Sequence, residues 1–165
     1  AVTEIDRLFP DLQQKVEEQF PPTEEDPRRP ATAYLQARGL SKALEGLDYE
    51  YHQNVRGTGS GAVMFPVRTP DGDVSYNGRL FNPPPGEGKT HNLGKSSGAV
   101  WEHPHRTYDS EQETFLVEGI IDALSLWEMG YQAKAVLSSG ADPSKLDWSG
   151  ITNPVSTTMG PAEKH

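Results

Sequence analysis

"TFLVEGIIDALSLWEMG", residues 114–130, decides the fold. Thr114–Val117 has the composition of a short buried strand and runs straight into Glu118-Gly119. Asp122 follows, and apolar residues then recur at helical spacing until Gly130. The next apolar run, "AKAVL" at 133–137, has the length of a second strand. Strand, helix over 120–129 and strand predict one β-α-β unit with a right-handed crossover. The fold class is therefore α/β. Gly130 is expected to stop the helix.

The two acids in this stretch need separate explanations. Asp122 falls in the first helical turn, where the dipole favours a negative charge and no further role is required. Glu118 directly follows the apolar "FLV" and would carry a desolvation cost unless it faced a cleft or a cation. Strand ends are also where open α/β sheets bind ligands. Gly119 leaves room for the chain to bend beside that carboxylate. Glu118 is thus the first candidate site residue.

The whole chain has 165 residues, enough for one domain with an appendage and a core that needs no staples. With no cysteine, it has no disulfides, thiolate zinc sites or cysteine nucleophiles. No run approaches a membrane span or a signal-peptide core, so a cytoplasmic location is the expectation. The chain opens at Ala1 rather than at Met, which suggests a processed N-terminus or an excerpt of something longer.

The net charge of −9 argues against one large nucleic-acid surface. Its distribution is uneven. Residues 1–50 hold 11 acids and 6 bases, and residues 106–165 hold 9 acids and 4 bases. Residues 51–105 hold 4 acids, 5 bases and four of the five histidines. A modest anion-facing surface in the middle third fits this pattern, as does ordinary variation in surface charge.

Upstream, residues 2–20 show amphipathic helical spacing through Ile5, Leu8, Phe9, Leu12, Val16 and Phe20, interrupted at Pro10. "PPTEEDPRRP", 21–30, reads as a linker. "ATAYLQARGL" predicts a short helix with Tyr34 and Leu35 inward and Gly39 just past its end. "SKALEGL" predicts a second one, with Ser41 as N-cap. Residues 62–81 read as a hairpin turning at "TPDGD". Residues 82–98 read as a long loop and "AVWE" as a strand. A further short helix is expected near 143–148. The domains are then 1–30 (helix and linker), 31–110 and 111–165.

Three motifs invite chemistry and fall short of it. "GEGKT", 86–90, lacks the first glycine of a phosphate-binding loop, because position 83 is Pro83, and no helix follows. Lys89 remains available as a single phosphate contact. "RGTGSG", 56–61, has the glycines of a backbone anion cradle but no helix after it, and so reads as a flexible loop. "HPH", 103–105, has no third ligand and reads as a surface loop.

"LVEGIIDALSLWEMGYQAKAVLSSG" resembles the first half of the Toprim domain, shared by bacterial-type DNA primases, topoisomerases and some nucleases. There a strand ends in Glu-Gly, an Asp follows, a helix runs to a glycine, and a second strand ends in a small-residue turn, here Ser138-Ser139-Gly140. "AxYLxxRGL" at 31–40, "MFPVRTPDGDVSYNGRLF" at 64–81 and "KTHN" at 89–92 resemble the subdomain that precedes Toprim in primases. The closest likeness is to phage- and plasmid-type primases and primase-helicases, over residues 31–140.

The resemblance implies an α+β N-terminal subdomain followed by a partial Toprim unit with a Rossmann-like sheet. It implies Glu118 and Asp122 as catalytic acids that organise Mg²⁺ or Mn²⁺, and Arg79, Lys89, Asn92 and Arg68 as contacts to template or nucleotide. Single-stranded DNA and nucleotides would be the partners, with a replicative helicase beside them. The family also carries an Asp-x-Asp pair on the third Toprim strand. The corresponding residues 157–163, "TTMGPAE", have none, so the metal site is incomplete as written. The chain is either a fragment or a degenerate member, with little activity of its own. The family's cysteine-based zinc module is missing too. The alternatives are a non-catalytic nucleic-acid or partner-binding module, and a Toprim nuclease. "NGRLF" and "KTHN" favour primase over nuclease.

Overall fold

The computed structural model describes residues 16–69, 71–94 and 99–137, and the backbone of 154–156. The chain separates into two compact units, each built from segments distant in sequence. The first takes the chain up to Ser41, then Asp48–Pro66 and Tyr76–Leu93. The second takes Lys42–Leu47, Val67–Ser75 and the chain from Gly94 onward.

In the first unit a short helix, α1 (Arg29–Ala37), buries Pro30, Ala31, Tyr34 and Leu35. It ends as the sequence predicts. Gly39 takes φ +88, its N–H donates to Gln36 O (2.9 Å), and the Leu40 N–H donates to Leu35 O (3.2 Å). These bonds satisfy carbonyls that the helix end would otherwise leave open. The segment before it is no slack linker. The Asp26 N–H donates to Thr23 Oγ1 (2.9 Å), and Arg29 N–H to Asp26 O (3.2 Å). Of the amphipathic stretch 2–20, residues 16–19 are helical and the part before residue 16 lies outside the described residues.

Four strands follow: β1 (Glu50–His52), β2 (Ala62–Arg68), β3 (Val74–Leu80) and β4 (Thr90–Leu93), in the sheet order β1-β2-β3-β4. β1 pairs antiparallel with β2, and β3 with β4. The hairpin 62–81 forms where the sequence places it. The Thr69 N–H donates to Asp73 O (2.8 Å), the Gly72 N–H donates to Thr69 O (2.9 Å), and Pro70 lies outside the described residues. β2 explains its unbroken apolar run: Ala62, Val63, Met64 and Phe65 are all buried, so both faces of the strand are covered. On one face Ala62 and Met64 pack with Val55 and Leu80. The Tyr34 and Phe81 rings meet at 4.8 Å, and Tyr51 stacks on Phe81 at 6.0 Å.

Two local expectations need correction. Residues 82–98 are not loop throughout, because Thr90–Leu93 forms β4. Its side chains are largely exposed, so no apolar alternation announces it; the pairing with β3 makes it a strand. "SKALEGL" forms only a 3-10 turn, Lys42–Leu44, which is too short to nucleate an α-helix.

In the second unit β5 (Val100–Glu102), β6 (Thr114–Val117), β7 (Ala133–Val136) and β8 (Pro154–Ser156) form a sheet of order β5-β7-β6-β8. β6 and β7 are parallel and joined by α2 (Ile120–Glu128), the expected β-α-β unit. β5 is antiparallel to β7, and β8 is parallel to β6. α2 buries Ile120, Ile121, Ala123, Leu124 and Leu126. Gly130 stops it at φ +94, with its N–H on Trp127 O (3.0 Å) and the Tyr131 N–H on Leu126 O (2.9 Å). Glu128 accepts the N–H groups of Lys42 (3.1 Å) and Ala43 (2.9 Å), which docks the 3-10 turn on the helix end. Lys134 is buried on β7, with its Nζ 3.4 Å from Glu102, its register partner on β5. The turn at 138–140, the helix near 143–148 and residues 157–163 lie outside the described residues. The two units together give the mixed α/β class expected, and no described helix is long and apolar enough to cross a membrane.

Candidate nucleic-acid interface and acidic strand end

In the first unit the structure brings Arg79 and Asn92 onto one hairpin face. Arg79 lies opposite Thr90, and Asn77 lies opposite Asn92. Side chains on one strand alternate between faces, so residues 77, 79, 90 and 92 share a face. Asn77 Nδ2 donates to Asn92 Oδ1 at 2.7 Å, which fixes both amides. Arg79 is half-buried, yet its guanidinium has no hydrogen bond or ion pair with any described residue. A guanidinium presents a planar fork matched to phosphate oxygens.

Lys89 sits one residue before β4. The Leu80 N–H donates to its carbonyl (2.8 Å), so the register places it opposite Leu80. Alternation then sends its side chain to the face of Gly78 and His91, not the face of Arg79 and Asn92. Its ammonium is exposed and unpaired among the described residues. That second face also carries Tyr76, whose hydroxyl donates to Glu50 at 3.0 Å, and His52, 2.9 Å from the same carboxylate. The His52 hydrogen bond is the main cause that holds the Glu50 carboxyl below its ordinary range.

The loop "RGTGSG" is a built structure rather than a slack one. The Val55 N–H donates to Ser60 O (2.9 Å), Thr58 Oγ1 donates to Val55 O (2.8 Å), and the Gly59 N–H donates to Asn54 Oδ1 (2.7 Å). Arg56 stands in it at φ 54, ψ 22, the left-handed region, at a cost of about 1–2 kcal/mol for a residue with a Cβ. Its guanidinium reaches across to the first residues of β4 and the segment before it. It donates to Gly88 O (3.1 Å) and Thr90 O (3.0 Å), meets His91 Nδ1 at 3.1 Å, and lies 3.5 Å from Glu87. Burial, then the charges of Arg56 and His52, keep the His91 imidazole below its ordinary pKa. A neutral ring can accept at Nδ1. Sequence reasoning missed Arg56, because its glycine neighbours read only as an anion cradle or a loop. No spacing rule links position 56 to position 91.

In the second unit Glu118 directly follows β6 and is exposed, with no partner among the described residues. Asp122 is the third residue of α2, and its Oδ2 lies 3.4 Å from where a Cβ on Gly119 would stand. The carboxylate therefore turns back over Gly119 at the helix start. Among the described residues no three His, Asp or Glu side chains converge to hold a metal. Glu118 and Asp122 are two carboxylates, and an Mg²⁺ held by so few takes the rest of its octahedron from waters and substrate phosphates. Arg68, at the end of β2, is exposed and donates to Gly72 O at 3.2 Å, so it braces its own turn.

The "HPH" motif is only partly a surface loop. His105 is exposed, but His103 is 2 % exposed. Its Nε2–H donates to Ala43 O at 2.8 Å, and its Nδ1 accepts the His105 N–H at 3.1 Å. With both nitrogens engaged it is a structural histidine, and burial pushes its pKa down.

No known family and no curated protein matches the chain by sequence. In three dimensions it shares the fold of the Aquifex aeolicus primase, in a crystal structure of its zinc-binding and RNA polymerase domains. The TM-score is 0.56 at 17 % identity over 94 % of this chain. The chain spans 49 % of that structure's length. The fold of this protein is thus primase-like.

Proposed function

We propose that this chain is part of a primase-type core that engages single-stranded DNA and nucleotides. The observation that carries the reading is the β3–β4 hairpin. It presents a half-buried Arg79 and an exposed Lys89 with no partner among the described residues, on a primase-like fold. Arg79 and Lys89 take phosphates, Asn92 holds the hairpin face beside Arg79, and Arg68 is a peripheral contact. In this reading the second unit is of Toprim type, and β8, parallel to β6, is the strand whose end carries the family's paired acids. The residues after it, Thr157 and Thr158, have no carboxylate. An Mg²⁺ or Mn²⁺ ion would need ligands beyond Glu118 and Asp122, so primer synthesis by these residues alone is weak or absent. By the same family reading the protein works in the cytoplasm beside a replicative helicase.

Binding of a labelled single-stranded oligonucleotide, followed against salt, tests this. Arg79→Ala and Lys89→Ala should each weaken binding and lower the salt slope by about one. Unchanged affinity and slope in both variants would remove the interface. A primer-synthesis assay with Mg²⁺, nucleotides and template should give little product, and efficient synthesis would overturn the incomplete acidic site. A chain that binds strand but never extends would be the non-catalytic module, a reading favoured by the lack of an Asp-x-Asp in residues 157–163.

A further inference from the structure

Arg56 is committed on both sides of Lys89. Its guanidinium meets Glu87 and Gly88 before the lysine, and Thr90 and His91 after it. The Lys89 carbonyl is held separately by the Leu80 N–H. The Lys89 backbone is therefore pinned from both flanks while its ammonium stays exposed and unpaired among the described residues. Arg56 holds this clamp from a positive φ, and the hydrogen-bonded loop 54–60 keeps it there. A strained residue persists where its surroundings over-determine it, and such residues gather at working sites. The segment it clamps, "PPPGEG" at 83–88, has a composition that would otherwise leave the approach to Lys89 loose.

We propose that Arg56 is a positioning residue that pre-orders the Lys89 segment so that its ammonium meets a nucleic-acid phosphate at little ordering cost. The inference rests on the reading of Lys89 as a phosphate contact. Arg56 acts through its fork, which reaches two carbonyls and a ring nitrogen at once. Its first use is not as a second phosphate ligand, because both terminal nitrogens already donate to protein acceptors. The neutral His91 ring supports this, since its Nδ1 accepts from Arg56.

The test compares binding of a labelled single-stranded oligonucleotide by the full chain and four variants: Arg56→Gly, Arg56→Lys, Lys89→Ala and the double variant Arg56→Gly/Lys89→Ala. Glycine accepts the positive φ, so Arg56→Gly removes the clamp without threatening the loop. Lysine keeps the charge but cannot span two carbonyls. Releasing one rotamer-rich side chain and its backbone should weaken binding about two- to tenfold. Arg56→Gly and Arg56→Lys should both show this loss, and Arg56→Gly should add nothing once Lys89 is alanine. Wild-type affinity in Arg56→Lys would mean that charge alone counts, and would overturn the positioning role. So would losses from Arg56→Gly and Lys89→Ala that multiply. If Lys89→Ala weakens binding and Arg56→Gly does not, the positioning role falls while the phosphate contact stands. If Lys89→Ala changes nothing, both fall.

Discussion

Gly78, in the middle of β3, is the sharpest place to perturb the hairpin that carries Arg79. A Cβ added there would stand 2.1 Å from Met64 Sδ and 2.9 Å from the Val63 carbonyl oxygen. Ordinary carbon contacts lie at roughly 3.5–4.0 Å, so the thioether would have to retreat by more than about 1 Å. Met64 is fully buried among Val55, Ala62 and Leu80, which leaves it nowhere to go, and the Val63 oxygen belongs to a paired strand. Overpacking of this kind costs about 1–3 kcal/mol. Alanine recovers about 0.5–1 kcal/mol from the lower entropy of the unfolded chain. The net loss for Gly78→Ala is then between about 0 and about 2.5 kcal/mol, or a fall of up to about 10 °C in Tm. Thermal and urea unfolding followed by circular dichroism would measure it. The cause is checked with Met64→Ala, which alone should cost about 2–5 kcal/mol. In the Gly78→Ala background it should cost less, by a coupling of about 0.5–3 kcal/mol. A Gly78→Ala protein more stable than the parent, or strictly additive losses, would refute the packing of Met64 over Gly78.

Glu17 accepts the Tyr51 hydroxyl and, at 2.9 Å, the Gly61 N–H. Glu17→Ala should cost about 1–3 kcal/mol in denaturant melts by stranding those donors. Burial first, and Glu17 second, push the Tyr51 pKa up, so the same variant should lower it part of the way, read by phenolate absorbance; no movement would mean that the contact is not made. His103 is held neutral in the folded state, so its pKa lies below that of the unfolded chain. Its stabilisation is present above the unfolded value of about 6.5 and is lost as pH falls, because the unfolded chain takes up the proton first. Urea melts between about pH 8 and about pH 5 should show this loss, reduced in His103→Gln, which keeps a donor for Ala43 but cannot titrate. An equal slope in both proteins would move the effect elsewhere, to His91 first.

Local chemistry in the sequence determined much of this protein. The β-α-β unit, both glycine-terminated helices and the hairpin at 62–81 follow from periodicity and from turn residues, and interactions within a few positions impose them. Glu118 at a strand end was equally legible, because the strand and the helix that flank it announce themselves. β4 was not, since four largely exposed residues become a strand only when β3 supplies their hydrogen-bond partners. The same pairing decides that Lys89 and Asn92, three residues apart in one motif, point to opposite faces. His103 read as exposed because its neighbours are polar and prolyl; it is tolerated in the interior because the Ala43 carbonyl, 60 residues away, accepts its Nε2–H. Arg56 had no signal at all. Its role depends on a loop that closes on itself and delivers a guanidinium to a segment more than 30 residues on. Such contacts are set by chain closure and packing in three dimensions, and residue spacing along the chain does not encode them.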